Sequence, residues 1–335
     1  MFASFRSGLI LGSAFVAAGS FGMAAQQAAP ATAHSIALKP NKHIPGVVEG
    51  RLTQGPPPDR LWYKKVGNHS SSPIVALFAA FHCGYSAPPS RSRANTWLDT
   101  RVIPGINSSG GNRFIIYDSL SAETANFEIP PGGSTRMDLR FPIGYVRCSG
   151  GVKTVLFADG RSEGNRVDMW RMYRQRQGIY AAIGRSIPIL EQVANGKMSL
   201  EQGLGTLHGY SQSLRYQINP GAAFPSGSAG YASDPAVDSL YTLDGMTAMV
   251  QFYRSLEASL SPPGSALRKF YSHYLRGGFP WRPAGSKQPT VDQVAQARPV
   301  SPDQARAVIL LNELQQWRAA LKGHLKPAKG ESVAR

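Results

Sequence analysis

The sequence predicts an α+β protein in two segregated parts: an antiparallel β-sandwich followed by an all-α helical domain. Two observations predict it. Between Leu61 and Phe157, short apolar segments alternate with turn signals roughly every 8–12 residues. After Gly164 the apolar period changes from two to 3.6, the period of helices packed on one face. A third observation concerns location. Arg6 precedes an apolar run, Gly8 to Met23, with the length of a signal-peptide core.

Each segment has its own reason. Gly22-Met23-Ala24 offers small residues for a signal peptidase, so residues 1–25 are expected to be a signal peptide. The run is short and rich in small residues for a membrane span. No later segment could cross a membrane, so the mature chain is expected to be extracytoplasmic, either periplasmic or secreted. Residues 26–60 read as a disordered Pro/Ala-rich leader ending in Gly55-Pro56-Pro57-Pro58.

Strands are then expected at Leu61 to Val66, Pro73 to Cys83, Thr96 to Ile103, Arg113 to Tyr117, Phe127 to Ile129, Thr135 to Phe141, Ile143 to Cys148 and Val152 to Phe157. Pro73 to Cys83 (PIVALFAAFHC) is too apolar to face water. Asn107 to Asn112, Pro130 to Gly133 and Ser149-Gly150-Gly151 read as turns or loops. Asp159-Gly160 closes the part spanning 61–160. Cys83 and Cys148 both sit at the ends of apolar runs. In an oxidising compartment two cysteines most simply form one disulfide.

Asn68 to Ala76 (NHSSSPIVA), Tyr117-Asp118-Ser119-Leu120, the Pro131-Gly132 turn and Val152 to Gly164 resemble immunoglobulin-like (fibronectin-III-like) domains of exported bacterial proteins without an assigned role. The resemblance covers about residues 61–164. It implies an Ig-like β-sandwich and carries over no catalytic residues, because such sandwiches host many functions.

The helical domain is expected over 163–325. Asn165 to Ala194 forms a first helix with Val167, Met169, Trp170, Tyr173, Ile179, Tyr180, Ile183 and Ile187 as core candidates, kinked or split at Pro188. Ser199-Leu200-Glu201-Gln202 is a capping box that opens a second helix to about Tyr216. Asn219 to Ser233 is a loop, and Asp234-Pro235 caps a third helix to about Leu260. A short helix follows at Ala266 to Leu275, then an aromatic and proline loop over 277–289. Thr290 and Ser301 open two further capping boxes, the second leading a helix to about Leu325. Residues 326–335 read as a frayed tail.

Charge points to the class of partner. Lys and Arg number 36 against 20 Asp and Glu, a net +16, or +15 once Arg6 leaves with the signal. The excess is spread over both halves, a diffuse field that favours polyanions, so the expected partner is an anionic polymer or an envelope protein. There is no specific nucleic-acid motif. Arg166, Arg171, Arg174, Arg176 and Arg185 crowd the first helix beside Trp170, Tyr173 and Tyr180. From these, Arg171 and Arg174 are candidate binding residues. Trp281 and Arg282 in the later loop are two more, since Trp and Arg suit binding hot spots. The alternatives are Arg stems packed over the sandwich and a buried loop plug.

Catalytic patterns are sparse. None of the seven His pairs with another at zinc-helix spacing. Ser226-Gly227-Ser228-Ala229-Gly230 lacks the first glycine of a nucleophile elbow. No metal site and no cofactor is expected. The sequence therefore favours a non-enzymatic binding or structural envelope protein. The alternative is an extracytoplasmic hydrolase with an acid pair in the inter-domain cleft, drawn from Asp159, Glu163 and Asp168, because carboxylate pairs leave little sequence signature.

Overall fold

The computed structural model describes residues 37–54, 62–85, 112–122, 124, 126–139, 145–218, 243–270 and 279–326. The signal segment, the strand expected at 96–103, the 219–233 loop with its Asp234 cap, and the tail beyond 326 lie outside these residues. All the described residues fall in one compact unit. They form two antiparallel sheets followed by a helical part.

The first sheet begins earlier than expected. β1 (Lys39–Asn41), β2 (Ile44–Glu49) and β3 (Thr53–Gln54) occupy what reads as leader. Pro40 and Pro45 disguise them. Yet Ile44 and Val47 are wholly buried, and only a sheet can bury them here while pairing their backbone. Pro40 is tolerated because β1 lies at the sheet edge. β2 and β3 pair with successive parts of β4 (Trp62–Asn68), whose other side pairs with β7 (Ser134–Leu139).

The second sheet has the order β6 (Asn112–Asp118), β5 (Ile74–Tyr85), β8 (Tyr145–Phe157), β9 (Ser162–Gly164). β8 is one strand, where the sequence suggests two broken at Ser149-Gly150-Gly151. Gly150 explains the continuity. Its φ is +134°, and a Cβ there would sit 2.2 Å from the Ala80 carbonyl oxygen. Only glycine lets β8 pass so close to β5 and stay paired. The Asp159-Gly160 turn is as expected: Gly160 has φ +85° and the Asp159 carboxylate accepts the Arg161 N–H at 3.0 Å.

The apolar run in β5 is explained by burial on both faces. Leu77, Ala79 and Phe81 join Ile44, Val47, Val66 and Met137 in a core between the sheets. Ala76 and Phe78 point the other way, onto Met169, Met172 and Tyr173 of the first helix. A strand covered on both sides loses the alternation that a half-exposed strand shows.

That helix, α1 (Arg166–Ala194), starts as predicted: the Asn165 side chain accepts the Val167 and Asp168 N–H groups. It is not split at Pro188. The proline is exposed, while Ile189 and Leu190 beside it are anchored in the helical core. This packing outweighs one lost backbone bond. Val167, a core candidate, is instead 64% exposed on the first turn.

α2 (Leu200–Ile218), α5 (Val291–Ala297) and α6 (Pro302–Lys322) open on the expected capping boxes at Ser199, Thr290 and Ser301. α3 is described over Leu243–Leu260 and α4 over Ala266–Phe270. α1 and α3 cross closely, because a Cβ on Gly178 would stand 2.3 Å from the Gly245 carbonyl oxygen. Among the described residues, no helix is long and apolar enough to cross a membrane.

Candidate functional site

The turn after β6 joins the sheets to the helices. It is shaped by Thr124, whose hydroxyl accepts the Asp118 N–H at 2.8 Å and donates to the Asp118 carbonyl at 2.9 Å. This inserts Leu120 and Ala122 into the helical core. Two indoles secure the turn from the other side. Trp281 Nε1–H donates to the Ser119 carbonyl at 2.5 Å, and Trp317 Nε1–H donates to the Leu120 carbonyl at 2.7 Å. Asp118, 4% exposed, receives Arg176 in a two-pronged pair, Nε to Oδ2 at 2.7 Å and Nη2 to Oδ1 at 2.9 Å. Arg176 also donates to the His324 carbonyl at 3.3 Å. Burial, and then the nearby Arg176 guanidinium, push the His324 pKa down.

The sequence candidates land in different places. Trp281 is buried and engaged with the turn, so of the two readings the sequence left open for it the structure favours the plug: its ring sits in an apolar cluster. Arg282 is held by the buried carboxylate of Glu313, and its carbonyl takes the Asn126 side-chain amide at 3.2 Å. Glu313 is pushed above the usual carboxylate range by burial, against the pull of Arg282. Arg171 pairs with Asp168 at 3.2 Å and lies 5.7 Å from the Phe78 ring centroid. Arg174 is exposed. Burial raises the pKa of both Asp168 and Asp244, while Arg171 pulls both down. Arg171 is therefore embedded in a local group of opposite charges.

The other candidate acids have structural partners. Asp159 shapes its own turn. Glu163 accepts the Gly46 N–H at 2.9 Å with one oxygen and meets Arg161 at 3.0 Å with the other. The Asp244 carboxylate adds to the upward push on Asp168. Among the described residues, no group of His, Cys, Asp and Glu could hold a metal ion.

Cys83 and Cys148 stand directly opposite one another in the β5–β8 ladder. The Cys83 side chain lies outside the described residues.

Sequence reasoning missed a polar contact between α2 and α3. Glu257 is 1% exposed; its Oε2 lies 3.3 Å from His208 Nδ1, and His208 Nε2 lies 3.1 Å from the Gln212 amide nitrogen. With the amide donating to Nε2, the ring proton sits on Nδ1 and faces Glu257. Among the described atoms, Glu257 Oε1 has no hydrogen-bond partner. Burial raises the Glu257 pKa; the His208 hydrogen bond and charge oppose it. The folded pKa then exceeds the unfolded one. Stability from this group is present below the ordinary Glu range and lost as pH rises through the folded pKa. Glu257→Gln is expected to gain on the parent as pH rises from about 4 to about 8, read from urea midpoints. A parent advantage that grows with pH would mean the carboxylate is a net stabiliser.

No protein-family model, no curated protein and no solved structure matches this chain.

Proposed function

We propose that the protein is an extracytoplasmic, non-catalytic binding protein whose Ig-like β-sandwich and helical part engage an anionic partner. The observation that carries the binding role is the distribution of charge. The candidate acids Asp159, Glu163 and Asp168 are each engaged by nearby backbone or arginine, whereas Arg174, Lys39, Lys42 and Arg51 are exposed. Excess cations presented to solvent attract polyanions over about a Debye length.

Strand pairing supports the Ig-like assignment. With β2, β4, β5, β6, β7, β8 and β9 as strands A, B, C, C′, E, F and G, the pairs A–B, B–E, C–C′, C–F and F–G are all present. These are the pairings of an Ig-like sandwich.

The export reading extends to the cysteines. Directly opposed antiparallel residues have Cα atoms about 4.5–5.5 Å apart, a span that a disulfide bridges. Titration of unfolded, unreduced protein is expected to find no free thiol. Two titratable thiols would remove both the bond and its support for an oxidising compartment.

Retention on an anionic matrix tests the binding role. The protein should elute only at raised salt. Arg171→Glu with Arg174→Glu should lower the eluting salt concentration only modestly, since Arg171 pairs with Asp168 and both arginines act on Asp244. Elution at low salt by the parent protein would refute the reading. A hydrolase is a second reading through Asp168 and Asp244, since the Asp244 charge helps raise the Asp168 pKa. Turnover of a chromogenic glycoside or ester that Asp244→Asn abolishes would favour it.

A further inference from the structure

The β1–β2 hairpin and the β2–β3 connection enclose an open cleft of about 720 Å³, which the anionic-partner reading leaves unassigned. Resting on that reading, we propose that this cleft is the ligand site and that it takes a ligand with clustered phosphate charges.

The cleft is built around one internal ion pair. Lys64 on β4 is buried, 2.8 Å from Glu49 Oε2, and donates to the Gly150 carbonyl at 3.0 Å. The Asn41 amide bonds the other Glu49 oxygen and also the Val152 carbonyl, while the Val152 N–H reaches Glu49 Oε2 at 3.3 Å. Glu49 is the one acid among the described lining residues, and it is neutralised at the floor. These contacts tie the hairpin to β8, so the cleft keeps its shape before any ligand arrives.

The rim carries the unbalanced charge. Lys39 and Lys42 on the hairpin and Arg51 after β2 are exposed around the opening, with His43 beside them. Three cations, with no acid on the rim among the described residues, call for a multiply charged anion. Lysine ammonium groups are compact point charges suited to phosphate oxygens. No Phe, Tyr or Trp is among the described lining residues, so that lining offers no stacking platform for a base or sugar ring. Its volume lies within the range of small-ligand sites and exceeds a single phosphate. Pro40 and the three-residue length of β1 argue against strand addition by a peptide at this edge. The phosphates could be free in solution or borne on a lipid surface, and both are offered below.

Calorimetric titration of the full chain with tripolyphosphate, and co-sedimentation with phosphatidylglycerol against phosphatidylcholine vesicles, test the site. Lys39→Glu with Lys42→Glu and Arg51→Glu should weaken binding ~tenfold or more, because each reversal replaces attraction by repulsion at close range. The neutral set Lys39→Gln, Lys42→Gln and Arg51→Gln should show a smaller loss in the same direction and guards against misfolding of the reversed set. Lys287→Glu with Arg298→Glu, exposed positions on the helical part, controls for diffuse charge. Loss of tripolyphosphate binding supports a soluble ligand; loss confined to phosphatidylglycerol vesicles supports a lipid headgroup. Equal effects of cleft and control variants would overturn the cleft while leaving an anion-binding protein. Binding of polyglutamate as tight as tripolyphosphate would overturn the phosphate class. A parent protein that binds none of these probes would refute the function proposed above and the cleft with it.

Discussion

Arg176→Met is expected to destabilise the protein by about 3–5 kcal/mol, because it leaves the Asp118 carboxylate buried without its cation. Asp118 and Arg176 are 4% and 3% exposed, so solvent does little to screen the pair. A chain of this size should lose roughly 2–4 °C of Tm per kcal/mol. Arg176→Lys should recover only part, since an ammonium cannot span both carboxylate oxygens. Asp118→Leu combined with Arg176→Met should be milder than Arg176→Met alone, because no isolated charge is then buried. The Leu120 N–H would still lose its acceptor, Asp118 Oδ1, so full recovery is not expected. Urea unfolding of the three variants provides the measurement. A loss below about 1 kcal/mol for Arg176→Met would show that water reaches Asp118.

Trp317→Ala should cost about 3–5 kcal/mol, the usual range for removing a buried indole. Trp317 is 1% exposed, with ring centroids 5.6 Å from Phe252 and 5.9 Å from Phe279. Trp317→Phe separates two contributions. It keeps most of the packing but strands the Leu120 carbonyl, worth about 1–3 kcal/mol if that group stays buried. Trp317 and Arg176 grip Leu120 and Asp118, two residues apart at one turn, so their double variant should depart from additivity. Purely additive losses would mean that the turn is not a shared element. Both predictions concern the same turn, from Asp118 at the end of β6 to Leu120.

Helix boundaries were legible because caps and periodicity are local. Asn165, Ser199, Thr290 and Ser301 each bond a backbone N–H within three residues, and the sequence displays all the atoms required. The Asp159-Gly160 turn was legible for the same reason. β1 and β2 were not, because β2 is defined by its pairing with β4 and by the burial of Ile44 and Val47 between the sheets, and β1 only by its pairing with β2. The two prolines there obscured the remaining local signal. β8 read as two strands because glycine normally marks a break. At Gly150 it marks instead the close passage of β5.

The candidate site was the least legible part. Arg171, Arg174, Trp281 and Arg282 were selected by residue type, and residue type cannot say which partner each will meet. Trp281 meets the Ser119 carbonyl, 162 residues away in sequence, and Arg282 meets Glu313. The cleft cations Lys39, Lys42 and Arg51 lay in a segment that composition marked as leader. The sequence alone determined the α+β class, the order of strands before helices, the starts of α1, α2, α5 and α6 and the excess of positive charge, since each is a local or summed property. Only the tertiary structure decided which charges are consumed in pairs and which face solvent around a cavity. Pairing depends on strand register and helix crossing, which bring together Asp118 with Arg176 and Glu49 with Lys64. No short-range pattern in the chain encodes those distances.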